Sequence, residues 1–360
     1  MRAWAILMML QGHFIDGLLD PVFRDPDNGI YRTWLYFRGI TAPVFFTASG
    51  FIFTYLLLRA PVRGLRNPRI RKGVRRGLQL LLIGYLLRTN LLGLLKGHIY
   101  PSFYLVDVLH CIGAALLLII GIYLLTSRLR PILFPLALVL FSLSLFLWEP
   151  VYKLWEYPGW PKALANYFTR ANGSVFTIIP WVGYTAIGGA LAALFRHYAT
   201  DRHLYRNSIV LTLLAGWALV SQSSRFFSRL ADWTGAELFD LVVANNYLFI
   251  RLGDVLLVFA AFMIARRWLK KDLFLKIGQN TLSIYVIHFI ILYGSFTGLG
   301  LYRFFNHSLT PAQAIPGAIA FMVGCTAIAL FYDANETRIL GPIRQAASAL
   351  RRRVADRFRR

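Results

Sequence analysis

Long apolar runs, one after another and joined by short polar connections, constrain this chain more than any other feature. A helix that crosses a bilayer needs about 20 mostly apolar residues. Runs of that kind fall at roughly 2–19, 39–59, 76–95, 103–126, 131–149, 175–195, 207–222, 246–265, 275–295 and 315–333. Of the 360 residues, 57% are hydrophobic and only 15% are charged, against roughly a quarter charged in soluble domains. A membrane bundle uses so much apolar surface because its outer faces also meet hydrocarbon. The expected fold is all-α: a polytopic integral membrane bundle of about ten transmembrane helices. No internal repeat, low-complexity tract or second folded domain is evident.

The net charge of +23 would by itself point to nucleic acid. Its placement argues against that, because the cations sit in short segments between apolar runs, as in cytoplasmic membrane loops. The connection after the second run carries Arg59, Arg63, Arg66, Arg69, Arg71, Lys72, Arg75 and Arg76 with no acidic residue. Later even-numbered connections carry Arg128 and Arg130, then Arg196, Arg202 and Arg206, then Arg266, Arg267, Lys270 and Lys271. The odd-numbered ones are mixed, with Asp20, Asp25 and Asp27, then Glu149 and Glu156, then Asp232, Glu237 and Asp240. This alternation predicts that both termini are cytoplasmic. The lipid bilayer is the expected partner, nucleic acid is not, and self-association is open. Residues 1–338 read as the transmembrane domain. Residues 339–360 read as a basic cytoplasmic tail, where Ile343, Ala347, Leu350, Val354 and Phe358 recur at the spacing of an amphipathic helix on the inner leaflet; a solvated tail is the plainer alternative.

Cys111 and Cys325 both lie in apolar runs and offer neither a disulfide framework nor metal-ligand spacing. The first run holds Gln11, His13 and Asp16 and no small-residue cleavage site follows, so it reads as a retained span rather than a cleaved signal. Almost nothing precedes it, which leaves open a start further upstream.

Ionisable groups inside spans cost free energy and are functional candidates by default. Arg2 and His13 lie about three turns apart on one helix face, and His13 falls about 16 Å along the first span, near the middle of a ~30 Å hydrocarbon layer. Asp16 is one turn further on, where a carboxylate can fix a histidine's tautomer and raise its basicity. Asp107 and His110 sit one turn apart in the fourth run, and Thr281, Tyr285 and His288 form an i, i+4, i+7 stripe in the ninth. Each histidine has a bland reading as a satisfied core residue. Arg88, Arg251 and Asp254, near span ends, read as snorkelling or interhelical pairs. Walker loops, nucleophile elbows and metal motifs are missing, and no metal is expected. Buried His and Asp also build proton and ion paths, so a proton-coupled or solute transporter is the alternative function, with a non-catalytic envelope scaffold a third reading.

Several segments taken in order resemble the heparan-alpha-glucosaminide N-acetyltransferase family and its bacterial relatives, within the wider group of membrane acyltransferases that acetylate extracytoplasmic sugars. They are Arg2 with His13 in the first span; Ile40-Thr41-Ala42-Pro43-Val44-Phe45-Phe46-Thr47-Ala48-Ser49-Gly50; Asp107-Val108-Leu109-His110-Cys111-Ile112-Gly113; Pro180-Trp181-Val182-Gly183-Tyr184 with Gly188; and Gly278-Gln279-Asn280-Thr281-Leu282-Ser283-Ile284-Tyr285 with His288. Together they reach from residue 2 to about 290. The resemblance implies an acetyltransferase of a bacterial cytoplasmic membrane, with acetyl-CoA as co-substrate and a sugar or glycan as acceptor. It marks Arg2 and His13 as the active site and adds Asn280 and Tyr285 to the candidate acceptor contacts. The residues are compatible with this. Arg69, Arg71, Lys72, Arg75 and Arg76, with Arg2, could hold the phosphates of the donor. His13 could act as general base or carry the acetyl group itself, with Asp16 as its orienter. Asp107, His110 and His288 are candidate acceptor contacts.

Overall fold

The computed structural model describes the backbone of residues 1–357 and the side chains through Arg338. Among the described residues there is no strand, only helices and their connections. The principal helices are α1 (Arg2–Leu18), α2 (Gly29–Leu58), α3 (Pro68–Leu87), α4 (Val108–Thr126), α5 (Leu133–Leu147), α6 (Ile178–His197), α7 (Leu204–Thr234), α8 (Tyr247–Ile264), α9 (Asp272–Gln279), α10 (Thr281–Tyr293) and α11 (Pro311–Arg357). Each of the ten apolar runs overlaps one of them, the ninth overlapping both α9 and α10. Six are long and apolar enough to cross a membrane: α2, α4, α6, α7, α8 and the Pro311–Arg338 part of α11. The bent pair α9–α10, with a 67° angle between its halves, makes a seventh if it is one span. The other expected crossings fall short of these criteria. α1 has 17 residues, α5 has 15, and the first turns of α3 are strongly cationic. The amphipathic reading of 339–360 concerns side chains outside the described residues.

Local chemistry explains two boundaries that the apolar pattern misplaces. α3 begins at Pro68, not near 76, so Arg69, Arg71, Lys72, Arg75 and Arg76 lie on its opening turns rather than in a loop. Asn67 caps it by accepting from the Arg69 amide, and proline at the first helical position costs no hydrogen bond there. α2 begins at Gly29, ahead of its apolar stretch, where Asn28 accepts from the Ile30 and Tyr31 amides.

α2 and α6 pair antiparallel through small residues, as membrane helices do when their backbones must approach closely. At the α2–α6 crossing, a Cβ on Gly188 would come within 2.0 Å of the Thr47 carbonyl oxygen, and one on Gly50 within 1.9 Å of the Thr185 carbonyl oxygen. The obstacle is backbone on both sides, so neither helix can yield by a rotamer change. Gly188→Val is therefore expected to cost at least the ~1–3 kcal/mol of ordinary overpacking, read as a lowered thermal midpoint in detergent. An unchanged midpoint would show that this crossing is looser than drawn.

α1 and α10 run parallel, which decides what gathers at each end of the bundle. Arg2 meets Thr281, the first residue of α10. At the other end Leu19 bridges Leu309, and Asn90 bridges Phe296.

Candidate functional site

His13 and His288 come from helices 275 residues apart in sequence, and their rings meet. His13 Nδ1 lies 3.1 Å from His288 Nε2, with ring centroids 5.2 Å apart. His288 is wholly buried. Its ring stands edge-on to Tyr285 at 4.8 Å and is flanked by Phe289 and Tyr293. His13 is only partly buried. Its second nitrogen, Nε2, has no hydrogen-bond partner among the described residues and is not sealed in the protein, while the residue lines a cavity of about 300 Å³. One imidazole nitrogen is thus held and the other is presented to open space.

The cavity runs from His13 to the end of the bundle where α2 and α8 begin. Met9 and Gly12 of α1, Arg38, Thr41, Phe45 and Phe46 of α2, and Tyr247 of α8 form its walls. Arg170, Val175 and Phe176 of the preceding connection and Trp181 of α6 complete it. Trp181 stacks on Phe46 at 5.6 Å and meets Phe176 edge-on at 4.8 Å, and its buried Nε1 has no partner. An aromatic wall with an unspent donor, two guanidinium groups and a histidine can receive a polar ring with hydroxyls.

At the opposite end the guanidinium of Arg2 hydrogen-bonds the Thr281 hydroxyl, and its buried Nε is unpartnered. Arg76 lies close enough for its charge to act on Arg2. It hydrogen-bonds Gln79 at 3.3 Å. Guanidinium groups at one end of the bundle can pair with an anion. Arg71, Lys72 and Arg75 are exposed on the same turns of α3, and Arg69 is half-buried.

The remaining candidates have other company. Asp16 does not hydrogen-bond His13; its carboxylate pairs with Arg38, whose Nε lies 2.7 Å away. The side chain beside His13 in this fold is therefore a second histidine. Asp107 caps α4 through the Leu109 amide at 3.1 Å and accepts from Arg88 Nε at 3.1 Å. His110 completes the capping box, its Nδ1 lying 3.3 Å from the Asp107 amide. Its ring fills the space above Gly84, where a Cβ would approach to 2.6 Å. Of this segment Val108 lines the cavity, while Asp107 and His110 do not. Asn280 sits at the α9–α10 break and donates to Asp333 at 3.1 Å. Tyr285 is buried behind His288. Arg251 pairs with Asp254 on its own helix at 2.9 Å. Both cysteines are buried. Among the described residues, no group of three or more His, Cys, Asp or Glu side chains could hold a metal ion.

Two features of the site escape sequence reasoning. Arg38 stands alone before an apolar run, and that isolation was a usable signal. Trp181 belongs to the Pro180–Tyr184 motif, and nothing in the sequence tells that it shares a cavity with His13.

With this geometry in place, a comparison with known families decides the class. Residues 1–330 match the family described as an acyltransferase domain. The chain belongs to this family. It is a multi-pass membrane acyltransferase, and acyl transfer displaces the transporter and scaffold expectations. No curated protein matches the chain.

Proposed function

We propose that this acyltransferase moves an acetyl group from cytoplasmic acetyl-CoA to a sugar or glycan on the far side of a bacterial cytoplasmic membrane. The observation that carries the reading is the disposition of His13, with Nδ1 engaged and Nε2 open to a cavity whose far walls are Trp181, Arg38 and Arg170. The likeness to heparan-alpha-glucosaminide N-acetyltransferases supplies the donor and the acceptor class. In this reading α1, α3, α5 and the bent α9–α10 also cross, beside the six helices long and apolar enough to do so, and ten crossings put both ends on one side. The basic connections support that side as the cytoplasm. Arg2 and Arg76 then face the cytoplasm, and the cavity opens outward.

The donor fits the two ends unequally. Arg2 and Arg76 offer guanidinium groups to its phosphates, with Arg69 and Arg71 nearby on α3. The acetyl thioester reaches along α1 toward His13. His13 Nε2 takes the proton of the acceptor hydroxyl as its oxygen attacks the thioester carbonyl carbon. The carbon–sulfur bond breaks, and the imidazolium returns that proton to the CoA sulfur. The products are acetylated acceptor and free CoA thiol.

The test uses the full chain in sealed liposomes, with radiolabelled acetyl-CoA on one side and a panel of glycans on the other. Label should appear on a glycan in the opposite compartment. Transfer confined to the acetyl-CoA side would remove the transmembrane part of the proposal, and solute flux independent of acetyl-CoA would remove the whole of it.

A further inference from the structure

His13 can act as a base only in one of its neutral tautomers, and its neighbours decide which. A neutral imidazole carries one N–H and one lone pair. If Nδ1 accepts from His288, the proton of His13 sits on Nε2, and the nitrogen facing the cavity cannot take another. If Nδ1 donates to His288, Nε2 is a bare lone pair. The choice passes to His288, whose Nε2 is the atom in contact. The other nitrogen of His288, Nδ1, is buried and has no hydrogen-bond partner among the described residues. Base catalysis by His13 requires the second arrangement, with the proton on His13 Nδ1 and His288 Nε2 as its acceptor.

We propose that His288 is a positioning residue: it accepts a hydrogen bond from His13 Nδ1 and so keeps His13 Nε2 unprotonated toward the cavity. It occupies the place that a carboxylate takes in Ser-His-Asp sites, which hold the catalytic imidazole in its working tautomer. A neutral partner suits this depth, since an unpaired carboxylate would be costly to bury there. When His13 takes the acceptor's proton, the imidazolium keeps Nδ1–H on His288, and the ring does not turn. The ring packing of Tyr285, Phe289 and Tyr293 fixes His288 in turn. This assignment rests on the proposed acetyl transfer through His13, and it moves His288 from candidate acceptor contact to support of the base.

The test combines a spectroscopic readout with rescue. In nanodiscs holding ¹⁵N-histidine-labelled full chain, the His13 signal is identified by its loss in His13→Gln. Its shifts should report a protonated Nδ1 and a bare Nε2. In His288→Phe, which keeps a ring in the packed site, that tautomer preference should be lost. CoA release from acetyl-CoA, with methyl glucoside as hydroxyl probe, should fall about 10²-fold to 10³-fold in the same variant. The thermal midpoint and the KM for acetyl-CoA should stay within a few-fold or few degrees of the parent. His288→Gln, whose side-chain carbonyl can still accept, should recover at least tenfold of the loss. A protonated Nε2 in the parent protein, or an unchanged His13 tautomer in His288→Phe, would overturn the proposal whatever the activity. So would a loss that His288→Gln does not recover. Failure of His13→Ala to reduce transfer would instead overturn the reaction itself, leaving the tautomer result to speak for the histidine pair alone.

Discussion

His13→Ala is expected to lower acetyl transfer by at least the ~10²–10⁴-fold that a positioned acid–base group contributes, with little change in acetyl-CoA binding. The reasoning is geometric. Removing the imidazole takes away the proposed base at the cavity wall, but leaves Arg2, Thr281 and α3 untouched. Substitution also leaves His288 without its partner, so some loss of stability accompanies it, and the activity must be compared at equal folded protein. His13→Gln separates the two effects, because an amide can keep contact with His288 yet cannot act as a base at neutral pH. Both variants should be inactive, and Gln should melt closer to the parent. Transfer within tenfold of the parent in His13→Gln would remove His13 from the chemistry.

Arg2→Ala should act mainly on the donor. A hydrogen bond to a charged group contributes about 1.5–3 kcal/mol, so the KM for acetyl-CoA should rise about 10–100-fold at low salt, with a smaller effect on kcat. The effect should shrink as salt screens the phosphates. Arg2 also ties α1 to α10 through Thr281, so the control is Thr281→Val, which loses that tie and keeps the cation. If the donor's phosphates bind Arg2, Thr281→Val should cost much less in KM than Arg2→Ala. Equal losses in the two variants would make Arg2 a strut between helices and nothing more. Arg76→Ala, on the adjacent turn of α3, should behave like Arg2→Ala.

How much of this was legible beforehand depended on whether the determinant was local. Apolar runs located the helices, because a span is read from its own residues. The start of α3 was local too, written in Asn67 and Pro68, but its dense cations looked like a loop and masked the cap. The Asp107–His110 pair likewise carried a helix-start signature, and its capping role was readable one turn at a time. Asp16 misdirected the reading of His13 because it is near in sequence. Its carboxylate reaches Arg38 of the next helix, and a cation pairs with it more strongly than a neutral ring does. The contact between His13 and His288 required knowing that α1 and α10 run parallel side by side. That arrangement is set by packing across the bundle, and no spacing within either segment reveals it. The cavity behind Trp181 is non-local for the same reason.

If donor and acceptor meet at His13 as proposed, a structure of the full chain with acetyl-CoA bound should hold phosphates within hydrogen-bond reach of Arg2 and Arg76, and a thioester carbonyl next to His13 Nε2 with room for an acceptor oxygen at the ~3–3.5 Å of a near-attack geometry. A bound donor whose acetyl group ends far from His13, or whose phosphates lie at the Leu18 end of the bundle, would contradict it.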